Sequence, residues 1–268
     1  MAKFADTHDP GPLRRSAAFD EGTTTDDTAL GETLRHLKRS GCSLLVTGSV
    51  PFETRAAMSR RLFGAADERR YRLLAVTNSV GLPVERYLPS GVPASSDSVS
   101  VVDFADELRG VTVAGTTADT EAVGDAGGST TAPASPTGQD APGSPGPTMR
   151  TDDADRMAAF GTSVETAVER LADRVGPFAP GELRVGVASL SGPFDDPGVG
   201  STVASLVEDV VGRNGMIHCH ALGPRSNVGS ALSDPFDVRI ELRDRGTGVP
   251  EHRWVVPDRS VRTGWVPL

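Results

Sequence analysis

Residues 44–64 read LLVTGSVPFETRAAMSRRLFG. From Ser43 to Gly48 the chain is uncharged and rich in branched apolar side chains, and it is too short for a helix. That pattern predicts a buried strand ending at a glycine. Residues 53–64 then predict a helix stopped at Gly64. Two further short apolar runs follow, RLLAVT at 72–77 and SVSVVDF at 98–104. Strand, helix and strand at these lengths predict a βαβ unit with parallel strands.

Upstream, residues 1–27 are polar and contain Pro10, Pro12 and a Thr/Asp cluster, so a disordered tail is expected there. Leu30, Leu34 and Leu37 then recur at helical spacing before Gly41. Downstream, residues 115–150 hold Gly, Ser, Thr, Ala, acidic residues and prolines, with almost no large apolar side chain. Such a stretch cannot bury enough surface to offset its ordering entropy, and a disordered insertion is expected. Each flank alone has too few strands to close a sheet. Residues 28–268 are therefore expected to form one domain interrupted at 115–150.

After the insertion, Met157, Phe160, Val164, Val168, Leu171 and Val175 define a long amphipathic helix. LRVGVASL at 183–190 is the sharpest buried-strand signal, and the segment is expected to lie side by side with 43–48 in one sheet. A Gly inside a strand, here Gly186, marks close packing against a helix. Residues 200–213 predict a helix with Val203, Leu206, Val207, Val210 and Val211 inward. Strands are expected at 216–222, 236–242 and 252–257, the last antiparallel to its predecessor, with a short helix near 227–233 and one more strand possible within 260–268.

Composition narrows the function classes. The formal net charge is −9, which disfavours non-specific nucleic-acid or anionic-membrane binding. Lys3 and Lys38 are the only lysines among 27 basic residues, and Asp and Glu together number 36. This balance fits a salt-loving source or a GC-rich genome. Cys42 and Cys219 form no CxxC and are expected as two buried thiols. No apolar run is long enough to span a bilayer and no apolar leader opens the chain, so a cytoplasmic location is expected.

The order of elements resembles the RecA/KaiC branch of P-loop nucleoside triphosphatases, and more narrowly an uncharacterised haloarchaeal family of KaiC-like proteins. Its carriers are residues 44–64, RMAAFGTSVETAVERLAD at 156–173, LRVGVASLS at 183–191 and FDVRIELRD at 236–244. The resemblance implies a three-layer α/β/α sandwich around a mainly parallel sheet, with a C-terminal β-hairpin. It also implies a phosphate loop, GxxxxGK[ST], whose amides turn inward, whose Lys neutralises charge and whose hydroxyl holds Mg²⁺. Counting from Gly48, the spacer is Ser49 to Phe52. Glu53 then stands at the second Gly, Thr54 at the Lys and Arg55 at the Ser/Thr. Pro51 has no N–H to offer.

Two further landmarks depart from the pattern. The magnesium-positioning Asp after the apolar strand is replaced by Ala188-Ser189. The acidic pair after the second strand is replaced by Thr77, Asn78 and Ser79, with Asp103 the nearest substitute. Phosphoryl transfer depends on positioning and charge stabilisation. These losses imply a non-catalytic pseudo-ATPase with a regulatory or protein-interaction role, no catalytic residue and no cofactor. A nucleotide-binding sensor or weak ATPase using Gly48, Ser49, Thr54 and Arg55 is the alternative. A third reading takes His218 and His220, which alternation puts on one face of a strand, as a metal pair. It lacks an obvious third ligand, and histidines hydrogen-bonded under a loop are the structural counterpart. Ser189 and Ser191 have no GxSxG elbow, and GxGxxG is absent.

Overall fold

The computed structural model describes residues 31–77 except 34 and 38, 83–104, 151–190, 197–221, 228, 230–246, 248–259 and 261–268. The expected tail at 1–27 and insertion at 115–150 lie outside the described residues, as do Asn78, Ser79 and Ser191.

The elements run β1 (Cys42–Thr47), α1 (Phe52–Phe63), β2 (Tyr71–Val76), a 3-10 turn (Val84–Arg86), β3 (Val99–Asp103) and α2 (Thr151–Val175). They continue with β4 (Leu183–Leu190), α3 (Pro197–Gly212), β5 (Met216–Ala221), α4 (Ser230–Ser233), β6 (Val238–Arg243) and β7 (Glu251–Val256). Two short strands, β8 (Val261–Arg262) and β9 (Val266–Pro267), follow where one was expected.

The nine strands of the described residues form one sheet, ordered β3-β2-β4-β5-β1-β6-β7-β8, with β9 also on β7. Strands β1 to β6 pair in parallel, and β7 runs antiparallel to β6. The expected side-by-side placement of 43–48 and 183–190 needs correction, because β5 lies between them. Strands β1, β4 and β5 are buried along their whole length. Adjacency among such strands leaves no mark on alternation, since neither face carries polar residues to compare.

Alternation sorts the sheet's side chains between two helical layers. Leu45, Leu73, Val185, Val187, Ile217 and Cys219 face α2 and α3, which contribute Phe160, Val164, Val168, Leu171, Val203 and Leu206 to the same core. Leu44, Val46, Leu74 and Ala188 face α1, whose Ala56, Met58, Leu62 and Phe63 are buried against them. Each fully buried Leu or Val contributes about 1.5–3 kcal/mol. The result is the three-layer α/β/α sandwich, RecA/KaiC-like, with its C-terminal hairpin. Cys42 and Cys219 are buried, as expected, and lie on opposite faces of the sheet.

Two polar devices fix details of this frame. The Asp237 carboxylate accepts from the Ser43 amide at 2.9 Å and the Ser43 hydroxyl at 2.8 Å, locking the starts of β1 and β6 together. On the hairpin, Glu241 accepts from Arg239 at 3.1 Å and from Arg253 at 2.6 Å, while Arg243 donates to Glu251 at 2.7 Å.

Helix α1 approaches β4 where Gly186 stands. A Cβ there would lie 2.6 Å from Phe63 Cζ and 2.7 Å from His218 Cε1. Gly186→Ala is expected to destabilise the fold by about 1–3 kcal/mol through overpacking, read as a lower urea midpoint at unchanged slope.

Candidate functional site

The β1–α1 turn lies at the C-terminal edge of the strands, where doubly wound folds place ligands. Gly48 has φ +141°, and a Cβ on it would lie 2.3 Å from the Leu242 carbonyl oxygen. Its lack of a side chain thus serves the close passage of β6. Ser49 is exposed, whereas Val50 is buried and packs into the core under α1. Pro51 precedes the helix, and its carbonyl already accepts the amides of Thr54 at 3.1 Å and Arg55 at 3.3 Å. Thr54 is buried, and Glu53 is exposed and ion-paired with Arg86. Arg55 folds back so that Nη1 donates to the Val50 carbonyl at 3.2 Å, while its Nε is buried without a partner.

The other landmarks sit along the same edge. Ala188 is buried in the apolar cluster under α1, with Phe63, Leu74 and Val76 around it. The Thr77 hydroxyl donates to the Ser189 carbonyl and ties β2 to β4. The side-chain oxygens of Thr47 and Ser189 are buried and unpaired. Asp103 ends edge strand β3, four strand spacings from β1. At ~4.8 Å per spacing that is about 19 Å, too far to serve a group held at 48–55.

A family model matches residues 41–242, from the residue before β1 to the last turnings of β6. The chain belongs to the Family of unknown function (DUF7504). No curated protein matches it. Solved structures similar to it include the KaiC-like protein PH0186 from Pyrococcus horikoshii OT3, at 10% identity and TM-score 0.41, covering 81% of this chain and 79% of that one. The genome packaging NTPase B204 from Sulfolobus turreted icosahedral virus 2 is similar in its AMP complex, at 7% identity and TM-score 0.43, and in its ATP-gammaS complex, at 8% and 0.42. Each covers 85% of this chain and 98% of that one. The fold class of this DUF7504 chain rests on its sheet order and two helical layers, not on these likenesses.

The second sequence-derived candidate lies beneath α1. His218 and His220 share one face of β5 and Cys219 takes the other, as alternation predicts. The rings are covered by a helix, not by a loop. Ser59 Oγ of α1 stands 2.8 Å from His220 Nε2 and 3.4 Å from His218 Nε2. One hydroxyl proton serves only one ring, so making both bonds requires complementary tautomers. His218 also meets the Phe63 ring edge-on at 4.9 Å. Both Nδ1 atoms are buried without a partner. Among the described residues no group of three or more His, Cys, Asp and Glu is arranged to hold a metal. The pair is a neutral, buried element of the α1–sheet interface.

The sequence reading missed Ser59 and two buried arginines, Arg72 and Arg184. Arg72 closes α1 by donating to the carbonyls of Phe63 at 3.2 Å, Ala65 at 2.6 Å and Arg70 at 3.1 Å. The available signal was an Arg inside each of two otherwise apolar strands. Ser59 carried none, because a small hydroxyl is ordinary within a helix.

Burial holds the His218 ring well below its ordinary titration range, with the neighbouring His220 adding to the effect. Burial, then the Arg55 charge, pushes His220 down to about 3. Both rings are unprotonated in the folded chain at pH values where, near 6.5, the unfolded chain takes up protons. Stability from this pair is therefore full above pH 6.5 and falls as pH drops below it, for His220 down toward about 3, by roughly 1.4 kcal/mol per pH unit for each ring that stays neutral. Urea midpoints between pH 7 and 5 are expected to decline in the native protein. The His218→Gln/His220→Gln double variant is expected to flatten that decline.

Proposed function

We propose that this DUF7504 chain is a non-catalytic RecA/KaiC-like module, a pseudo-ATPase that acts by binding a regulatory partner. One observation carries the reading: four of the positions from which a triphosphate would be gripped are engaged by contacts within the chain. Gly48 packs on Leu242, Val50 plugs the core, Glu53 pairs with Arg86, and Arg55 turns back onto Val50. The Glu53 carboxylate on the first turn repels phosphate, and Thr54 stands where a lysine would attract it. Ala188 offers a methyl group where magnesium would need an acid, and no stabilised transition-state charge follows.

A second reading has support from the same edge. Arg55 Nε, Thr47 Oγ1 and Ser189 Oγ are buried and unpaired, an unusual concentration of unsatisfied polar atoms. They favour an anion or nucleotide sensor that binds without turnover, independent of magnesium.

Thermal melting with ATP or GTP, with and without Mg²⁺, separates the two, since a ligand that binds only the folded state raises the midpoint. The pseudo-ATPase reading expects an unchanged midpoint throughout. A magnesium-independent rise that disappears in Arg55→Ala would establish the sensor. A magnesium-dependent rise accompanied by phosphate release would overturn both.

A further inference from the structure

At the opposite edge of the sheet, where the strands begin, a cavity of about 350 Å³ opens on the α1 face. Its charge is the reverse of the chain's. Arg61, Arg70 and Arg184 line it with a single acid, Glu68, in a protein of formal net charge −9. Glu68 is already engaged, bonded to the Ala65 amide at 3.1 Å and to Arg70 at 3.3 Å. Two cationic groups are left over.

Arg184 is the informative one. It enters from the second residue of β4 and is only 5% exposed. Its Nε donates to the Gly181 carbonyl at 3.0 Å and its Nη1 to the Met216 sulfur. Among the described residues Nη2 has no hydrogen-bond partner and no carboxylate lies within ion-pair distance of this side chain, Glu68 acting on it only from further off. Burial, then the charge of Arg70, pushes its ionisation down to about 10, so the cation is held at a cost. An unpaired buried charge is expensive, and an incoming carboxylate would remove that expense. A planar guanidinium also suits a carboxylate in two-point contact.

The rest of the wall is apolar. Leu44, Leu62, Val238 and Trp254 line the cavity, with the Cys42 thiol beside them. Inorganic phosphate would satisfy the arginines and leave those surfaces wet. A flat or branched hydrocarbon body covers them, and ligand sites commonly pair a mostly apolar lining with a few placed polar groups.

We infer that this cavity binds a small amphipathic organic acid, its carboxylate on Arg184 and Arg61 and its apolar body against Trp254. The inference is independent of the β1–α1 turn, which lies at the other edge, and stands or falls separately from the proposed function.

Trp254 supplies the readout. The chain has two tryptophans, and Trp265 lies elsewhere, stacked under Arg243 and Arg253. In the Trp265→Phe protein, fluorescence reports on the cavity. Titration with phenylacetate is expected to give a saturable change, while the neutral isostere phenylacetamide and inorganic phosphate each bind at least about tenfold more weakly. Arg184→Met is expected to weaken phenylacetate binding by a similar factor, and Arg61→Gln by several-fold. The Arg61 side chain is exposed, so Arg61→Gln keeps the test valid should Arg184→Met fail to fold. Equal binding of acid and amide, unchanged affinity in Arg61→Gln, or no saturable change with phenylacetate would overturn the inference.

Discussion

Helix α1 lies on the sheet at the one place in β4 where a side chain is missing. A mainly parallel sheet must be covered on both faces, and α1 is the cover on the side away from α2 and α3. Its approach at Gly186 lets Phe63 and the His218 ring occupy the space a Cβ would take. From that contact the helix's other positions follow. Ser59 comes to lie between the two histidines, Arg72 reaches the helix's last carbonyls, and Val50 is drawn into the core ahead of the first turn.

The two edges of the sheet then acquire opposite character. At the C-terminal edge, the turn into α1 is filled from within by apolar packing, and its Glu53 is held in an exposed pair with Arg86. Among the described residues, the buried polar atoms left unpaired there are the hydroxyls of Thr47 and Ser189 and the Arg55 Nε. At the N-terminal edge, where α1 ends, arginines gather because a helix terminus presents carbonyls that need donors. Arg72 meets that need at the Phe63 carbonyl. Arg184 bonds to Gly181 and Met216 instead and lines the cavity.

The neutral histidine pair shows how a polar group can be tolerated in such an interface. Each ring gains one bond to Ser59 and leaves its second nitrogen unsatisfied, which burial makes costly. The cost stays bearable while the rings remain uncharged, because a buried imidazolium beside Arg55 or Arg184 would face both desolvation and like charge. Acid therefore acts on this fold in part through the interface that positions α1.

The sequence by itself determined the elements, their order and their inward faces. Helix α2 buries Phe160, Val164, Val168 and Leu171, and Gly186 packs against a helix, as period and punctuation required. It also determined that residues 48–55 hold no lysine and that Ala188-Ser189 offers no carboxylate, since such a group is either in the chain or not. Only the tertiary structure decided that β5 separates β1 from β4, that Ser59 bridges the histidines, and that Arg61, Arg70 and Arg184 share one cavity. The reason is physical. Periodicity records which side of an element meets the core, a local property of the chain. Which strands become neighbours, and which distant side chains meet at a sheet edge, depends on crossovers whose residues carry no imprint of the partner they deliver.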